Sequence, residues 1–306
     1  MRRWPIGLGL WFVLLATAEF GCLVAVWRFF VRSTHGQLLD TVALAGNWIG
    51  QARINGVVDT ILNTVSVVSL VGATAAIGFI ALIRRRVAVA FGAILLIAGA
   101  SVTTQVLKRL IERPQLGVDV ERAAAGNSLP SGHATIAMAV AIAFLLVLPP
   151  RVRGAGAVVG ACGAAIVGIA TLSAGWHRPS DVAAAFLVVG VWANLAGLFI
   201  LFAQRRHGDV VYGPRNRYAV TVLALAGLVL LAGAAVAMKL TDQVLTTPTD
   251  QLSRNRLLTA YGGGALGIAG VAGLVVAAVL ATAHRLVPQA VPFGVEAKAG
   301  VSSTVD

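Results

Sequence analysis

Long apolar stretches alternate with short polar segments along almost the whole chain. A transmembrane helix needs about 20 apolar residues, and most of these stretches reach or approach that length. Their spacing predicts an all-α fold, a polytopic membrane helical bundle of about eight transmembrane helices. The stretches cover residues 5–30, 60–83, 87–107, 133–149, 155–175, 179–203, 217–240 and 257–284.

The composition agrees with a membrane protein. Hydrophobic residues make up 58% of the 306 residues and charged residues only 12%, about half of what a soluble domain carries. The net charge of +12 comes from 21 arginines and 3 lysines, which lie in short clusters. No basic tract is interleaved with aromatic side chains, so we expect no nucleic-acid partner. The excess of arginine over lysine is typical of a GC-rich bacterial genome.

The basic clusters predict the orientation of the bundle. Segments that would share one side of the membrane hold 13 basic and 3 acidic residues, whereas the other side holds 11 basic and 8 acidic residues. Because positive charge is retained in the cytoplasm, we expect both termini there, in a multi-pass protein of the inner (plasma) membrane. The segments expected to face outward are 31–59, 108–132, 176–178 and 241–256.

The tetrapeptide Pro130-Ser131-Gly132-His133 stands directly before an apolar stretch. Proline is favoured in the first turn of a helix, and glycine allows a close backbone approach. The backbone N–H groups of Ser131, Gly132 and His133 therefore lie at a predicted helix N-terminus, where anions bind readily. This segment is a candidate anion site on the expected outer face.

A second polar motif follows 44 residues later, where His177 and Asp181 flank Pro179 at the start of another apolar stretch. Residues four apart share one face of a helical turn. A carboxylate bonded to one imidazole nitrogen fixes the tautomer and makes the other nitrogen a better nucleophile or base. The plain alternative is a hydrogen-bonded pair at a helix end with no catalytic role.

The third polar segment closes the stretch 87–107 on the same side and contains Lys108 and Arg113. Both side chains suit phosphate oxygens, arginine as a planar fork and lysine as a point charge. Both also suit a structural role, in which an apolar stem lies in the membrane and the charge lies in water.

Together the three segments resemble the type 2 phosphatidic acid phosphatase (PAP2) superfamily. The family pattern is Lys, six residues, Arg-Pro; then Pro-Ser-Gly-His; then Ser-Arg, five residues, His, three residues, Asp. The resemblance covers roughly residues 60–203. It implies that His177 is the nucleophile that takes the phosphoryl group, that Asp181 orients it, and that His133 is the general acid for the leaving oxygen.

The resemblance also implies the residues that bind phosphate. Lys108 matches the lysine of the first motif, and Ser131 and Gly132 match positions that cradle the phosphate. The family needs no metal and no cofactor, because basic side chains and backbone amides stabilise the charge. We therefore expect no metal ligands and no cofactor in this chain.

Two arginines of the family pattern are missing from their expected positions. The first would fall at Gln115, and the Ser-Arg pair would fall at Ala170 and Thr171. Four residues are candidate substitutes, two charged and two neutral. They are Arg113, Arg178, Gln115 and Thr171. For Arg178, a contact with a lipid headgroup is the plain alternative.

Four regions follow from the stretches and the motifs. Residues 1–59 form a first transmembrane helix and an outer interfacial segment, with a short helix around Leu38–Ile49. Residues 60–203 form the PAP2-like core, residues 204–287 add two transmembrane helices, and residues 288–306 form a disordered tail.

The sequence thus predicts a membrane lipid phosphatase with its site on the outer face. The expected substrate is a lipid phosphomonoester or diphosphate, of the phosphatidic acid, phosphatidylglycerol phosphate or polyprenyl diphosphate type. Membrane lipids are the other expected partners, and the sequence indicates no oligomeric state. The alternative is a degenerate family member that binds or helps move an anionic lipid without hydrolysing it.

Overall fold

The computed structural model describes residues 6–49, 51–64, 67–83, 86–118, 127–204, 211–212, 216–286 and 288–289. Almost all of these residues belong to ten α-helices. In chain order, these are α1 Ile6–Val26, α2 Thr34–Ala45, α3 Gln51–Thr64, α4 Val67–Ile83, α5 Val87–Leu110, α6 Gly132–Val147, α7 Pro150–Ser173, α8 Pro179–Ala203, α9 Arg217–Asp242 and α10 Arg254–Leu286.

Six of the described helices are long and apolar enough to cross a membrane, namely α1 with its extension to Val31, α5, α7, α8, α9 and α10. Two shorter apolar helices accompany them, Val71–Ile80 within α4 and the whole of α6. The predicted all-α membrane bundle is therefore confirmed, with six described helices of full transmembrane length where about eight were predicted.

The predicted span 60–83 differs from the structure, which has α3 ending at Thr64 and α4 beginning at Val67. Val58 and Leu62 of α3 are buried against Ala170, whereas Val57 is exposed. Helix α3 is thus a surface helix with one apolar side. The polar positions along it interrupted the apolar pattern, so sequence reasoning placed the start of the span inside it.

The short helix predicted around Leu38–Ile49 is present as α2, which begins earlier, at Thr34, and ends earlier, at Ala45. Ser33 caps its N-terminus, because the Ser33 hydroxyl accepts a hydrogen bond from the backbone N–H of Gly36 at 3.0 Å. Such a cap satisfies one of the N–H groups that a helix start leaves without a partner.

Helix α8 lies at the centre of the bundle and packs against α1, α5, α6 and α10. Its buried side chains are mostly small or β-branched, with Phe186 as the largest. Trp192 ties it to α5, because its indole N–H donates to the Thr103 hydroxyl at 2.9 Å. Successive helices α5 to α8 run up and down, so the end of α5, the start of α6, the end of α7 and the start of α8 meet at one end of the bundle.

Helices α9 and α10 pack against each other, and α10 also contacts α2, α7 and α8. Near the same end of the bundle, the hydroxyl groups of Tyr261 in α10 and Ser173 in α7 are 2.6 Å apart. A two-residue antiparallel ladder joins Val211–Tyr212 to Pro288–Gln289. The rest of the predicted disordered tail and the arginines at 2–3, 84–85 and 205–206 lie outside the described residues.

Candidate active site

The turn that follows α7 carries His177 to the end of the bundle. Gly175 adopts a left-handed conformation with φ of 72°, which glycine accepts without a Cβ clash. Its N–H donates to the carbonyl of Leu172 at 3.0 Å, and that of Trp176 donates to the carbonyl of Thr171 at 3.0 Å. These two bonds form a Schellman motif. The N–H of His177 also donates to the Thr171 carbonyl, at 3.3 Å. This one carbonyl therefore holds the backbone at Trp176 and at His177.

The hydroxyl of Thr171 is not aimed at a substrate. It is fully buried and donates to the carbonyl of Gly168 one turn earlier, at 2.7 Å. Because a hydroxyl has one proton, this bond occupies the donor that was expected to replace an arginine. The contribution of Thr171 is the carbonyl that orders the turn before His177.

Asp181 is completely buried in the first turn of α8 and accepts several hydrogen bonds. One oxygen, Oδ2, accepts from the Ser128 hydroxyl at 2.6 Å and from the backbone N–H of Arg178 at 3.0 Å. The other, Oδ1, accepts from Nη2 of Arg113 at 3.4 Å. A buried carboxylate keeps its charge only where such partners replace water.

The imidazole of His177 lies beside the same carboxylate, with 3.5 Å between its Nδ1 and Asp181 Oδ2. This is an ion-pair distance but not a well-formed hydrogen bond. Catalytic contacts in ligand-free sites are often long and tighten when substrate binds. With Nδ1 turned to Asp181, the other ring nitrogen, Nε2, is the one that can meet a substrate.

The start of α6 is bonded directly to the start of α8. Ser131 is buried as the N-cap of α6, where its hydroxyl accepts from the N–H of Ala134 at 3.4 Å. The backbone N–H of Ser131 donates to the carbonyl of Asp181 at 3.0 Å. Sequence reasoning offered this N–H to an anion, but it is used inside the fold. The N–H groups of Gly132 and His133, in the first turn, have no acceptor within the helix.

His133 and Lys108 line the more open side of the site, and both are half-buried. The rings of His133 and Trp176 have centroids 5.4 Å apart and planes tilted by 48°. His133 is within electrostatic reach of both His177 and Lys108. The ammonium of Lys108 lies only 3.9 Å from the place that a Cβ on Gly132 would occupy. Lys108, His133 and His177 are therefore neighbours at the start of α6.

The remaining predicted phosphate ligands lie elsewhere. The Arg113 side chain is only 2% exposed and faces Asp181, so it supports the carboxylate from behind. Arg178 is also buried and contributes its backbone N–H to Asp181. Gln115 is exposed and makes no hydrogen bond to the other site residues in the described part of the chain.

Two further polar residues at the site, Ser128 and Asp40, were not predicted from the sequence, because no local motif marks them. Asp40 in α2 is buried, and its Oδ1 accepts from the backbone N–H of Ser180 at 3.3 Å. Its Oδ2 accepts from the Ser180 hydroxyl. Burial raises the pKa of Asp40 to about 6, and the negative charge of Asp181 adds to this shift. The partners are 140 residues apart in the chain, so no local pattern links them.

Among the residues that the structure describes, no cluster of three or more His, Cys, Asp or Glu side chains is arranged to hold a metal ion. The fold and the site define a class of protein, a helical membrane protein with a histidine-based polar site at one end of its bundle. Residues 87–206 match the family model of the PAP2 superfamily.

The matched region begins at the start of α5 and ends just after α8, so it contains all three polar motifs. The resemblance inferred from the motifs is confirmed, with its start at residue 87 rather than near residue 60. The match supports a phosphatase-type family. No curated protein and no solved structure matches the chain.

Proposed function

We propose that this protein is a membrane lipid phosphatase that works through a phosphohistidine intermediate on His177. The observation that carries the proposal is the backbone bond from Ser131 to the carbonyl of Asp181. It joins the Pro-Ser-Gly-His turn to the helix start that holds the carboxylate. As a result, a candidate nucleophile and a candidate acid lie on one end of the bundle.

In the first step, Nε2 of His177 attacks phosphorus in line with the leaving oxygen. The new P–N bond forms as the P–O bond to the lipid breaks, and the leaving oxygen takes a proton from the imidazolium of His133. Asp181 balances the positive charge that develops on His177. Lys108 and the N–H groups of Gly132 and His133 stabilise the charge on the phosphoryl oxygens.

In the second step, water hydrolyses the intermediate. Neutral His133 takes a proton from the attacking water, whose oxygen bonds to phosphorus as the P–N bond breaks. Inorganic phosphate leaves, and both histidines return to their starting states. The step needs no group beyond those already named.

The membrane setting of the site indicates the substrate class. A site at the end of apolar helices meets a phosphate whose hydrocarbon chains stay in the bilayer. The candidates are phosphomonoesters or diphosphates of the phosphatidic acid, phosphatidylglycerol phosphate and polyprenyl diphosphate type. The distribution of basic residues supports an outward-facing site in the plasma membrane, with both termini in the cytoplasm.

Phosphate release from mixed micelles tests the proposal. Each candidate lipid is presented to purified wild-type protein and to His177→Ala at matched protein concentration. We expect release from at least one lipid by the wild type and background release by the variant. Equal turnover by the two proteins would overturn the assignment of the nucleophile.

A second function is favoured by one specific observation. Arg113 is buried on Asp181, and Gln115 and Thr171 stand where the family has arginines, so fewer cations face a phosphate. Each missing donor is worth about 10²–10³-fold in rate. The alternative is therefore a member that binds or helps move an anionic lipid. Saturable binding of phosphatidic acid without phosphate release from any candidate lipid would favour it.

A further inference from the structure

Helix α2 lies outside the matched region 87–206, yet it contacts the candidate site at two places. Asp40 reaches the first turn of α8, and Gln37 reaches the segment that follows α5. The two side chains are one helical turn apart, and both are buried. Asp40 contacts the residue before Asp181 in the chain, and Gln37 contacts the residue after the arginine that faces Asp181.

The Asp40 contact fixes the helix start that carries the carboxylate. Ser180 is the second residue of α8, so its N–H has no acceptor within the helix. Asp40 accepts this N–H at 3.3 Å and also accepts the Ser180 hydroxyl. The two bonds hold Ser180 through its backbone and its side chain together. Asp181 is the next residue, so the direction of its side chain depends on how firmly this turn is held.

The Gln37 contact fixes the other partner of the carboxylate. The Gln37 amide donates to the carbonyl of Pro114 at 3.1 Å and to the carbonyl of Val31 at 2.8 Å. Pro114 follows Arg113, whose guanidinium contacts Asp181 Oδ1 at 3.4 Å. One side chain of α2 therefore anchors the backbone next to the arginine that supports Asp181.

Simple docking of α2 does not require these polar contacts. Val42 and Ala43, in its second half, are buried against Ala260 of α10 in a separate apolar cluster. Burying a carboxylate such as Asp40 costs free energy, which apolar packing alone would avoid. The charged groups that face Asp40 are Asp181 and Arg178 at the start of α8 and Arg113 in the segment after α5.

We propose that Asp40 and Gln37 are positioning residues, through which α2 sets the geometry of His177, Asp181 and Arg113. This inference rests on the proposed function, because it assigns a role in the phosphoryl transfer of His177. Misplacement of a reacting group by about 1 Å can lower a rate by about 10²-fold. Loss of either contact is therefore expected to slow the chemical step while the lipid still binds.

A rapid-quench measurement of phosphoenzyme formation separates positioning from folding. The amplitude of the first turnover reports the fraction of intact sites, and the rate constant reports their geometry. We expect Asp40→Ala to keep the wild-type amplitude and lower the rate constant by about 10–100-fold, with a smaller effect for Gln37→Ala. The exposed residues Asp59 and Gln251 supply matched controls, Asp59→Ala and Gln251→Ala, which should behave as wild type.

A double-mutant cycle tests whether Asp40 acts through Ser180. Ser180→Ala removes only the hydroxyl bond to Asp40, which Asp40→Ala also removes, so Ser180→Ala should slow the step and Asp40→Ala/Ser180→Ala should be no slower than Asp40→Ala. Additive effects of the two substitutions would overturn the proposed route. So would an amplitude that falls in Asp40→Ala while the rate constant stays at the wild-type value, because that pattern indicates a purely structural role.

Binding of orthovanadate distinguishes this inference from the proposed function. Vanadate mimics the phosphoryl group in the transition state of its transfer. Such analogues lose affinity when the protein groups that bind the transition state are displaced. If the wild type releases no phosphate from any lipid, the proposed function fails. The positioning inference then stands if Asp40→Ala weakens vanadate binding at least about tenfold relative to Asp59→Ala. Equal vanadate affinity of the two variants would overturn it.

Discussion

Two buried carboxylates, one in the central helix α8 and one packed against it from α1, have very different surroundings. Asp181, in the first turn of α8, has Ser128, Arg178, Arg113 and His177 around it. Glu19 of α1 lies against Gly190 in the middle of α8 and accepts a hydrogen bond from Asn194 at 2.8 Å. The two groups have the same chemistry and similar burial.

The two carboxylates differ in their partners more than in their burial, and only the partners of Asp181 suit the proposed phosphoryl transfer. Ionisable groups in a membrane are usually functional, which makes Glu19 a candidate by position. Its described partner is an amide, which can hold two helices together but cannot attack or transfer a proton to a phosphate. Asp181 is set apart by a histidine on one side and an arginine on the other, at one end of the bundle.

The sharpest contrast between the two carboxylates is in activity. Asp181→Asn keeps the shape but loses the charge that balances the His177 imidazolium, so phosphate release should fall by about 10³–10⁴-fold. Glu19→Gln removes a charge of the same kind and should leave phosphate release within about twofold of wild type. Initial rates in mixed micelles measure both. A large loss in Glu19→Gln would show that the mid-membrane pair takes part in the reaction.

The second contrast is in stability. Arg113→Ala removes the buried arginine that faces Asp181, and breaking such a buried ion pair costs about 3–5 kcal/mol. Asn194→Ala removes the two hydrogen bonds that its amide donates, to Glu19 and to the carbonyl of Gly190, which together cost about 1 kcal/mol. Unfolding by denaturing detergent, followed by circular dichroism, gives both free energies. Equal losses would mean that Arg113 does not compensate a buried charge.

The dependence of stability on pH isolates a third carboxylate, Asp40. Its pKa is raised from 3.8 to about 6, so between these values the folded protein binds a proton that the unfolded chain does not. Stability from this group therefore rises as the pH falls through that window and is constant above it. We expect the unfolding free energy of the wild type, relative to Asp40→Asn, to increase as the pH is lowered from about 6 to 4. A constant difference would contradict the shift.

The smallest contrast involves one glycine from each region. Gly175→Ala puts a Cβ in the left-handed turn before His177, so it should cost about 1–2 kcal/mol and slow turnover. Gly190→Ala places a Cβ 2.5 Å from a carboxylate oxygen of Glu19, so the side chain of Glu19 must shift. We expect a loss of stability there with wild-type turnover per folded protein. Thermal unfolding and initial rates check both variants.

The sequence was sufficient for the parts of the site that depend on local order. The spacing of His177 and Asp181, with Pro179 between them, places both in one turn, and the structure has them beside each other. The glycine and proline of the Pro-Ser-Gly-His turn likewise predict the start of α6, which begins at Gly132. The apolar periodicity predicts the membrane bundle because lipid requires long apolar helices.

The remaining features depend on contacts between distant parts of the chain. No pattern near Asp40 indicates that it meets Ser180, and none near Arg113 indicates that it faces Asp181. From the sequence, the hydroxyl of Thr171 could bond either to a substrate or to its own helix. The structure shows that it donates to the carbonyl of Gly168. Helix α3 was missed because its apolar residues cover one side only.

The central claim is that His177 carries the phosphoryl group, and one measurement tests it most directly. Wild-type protein is mixed with a candidate lipid from which it releases phosphate, labelled with ³²P in that phosphate, quenched in alkali within the first turnover, and separated from lipid. The account predicts protein-bound label that survives alkali, is lost in acid as a phosphohistidine is, and is absent from His177→Ala. Label of equal amount in His177→Ala, or label that is stable in acid and lost in alkali, would contradict it.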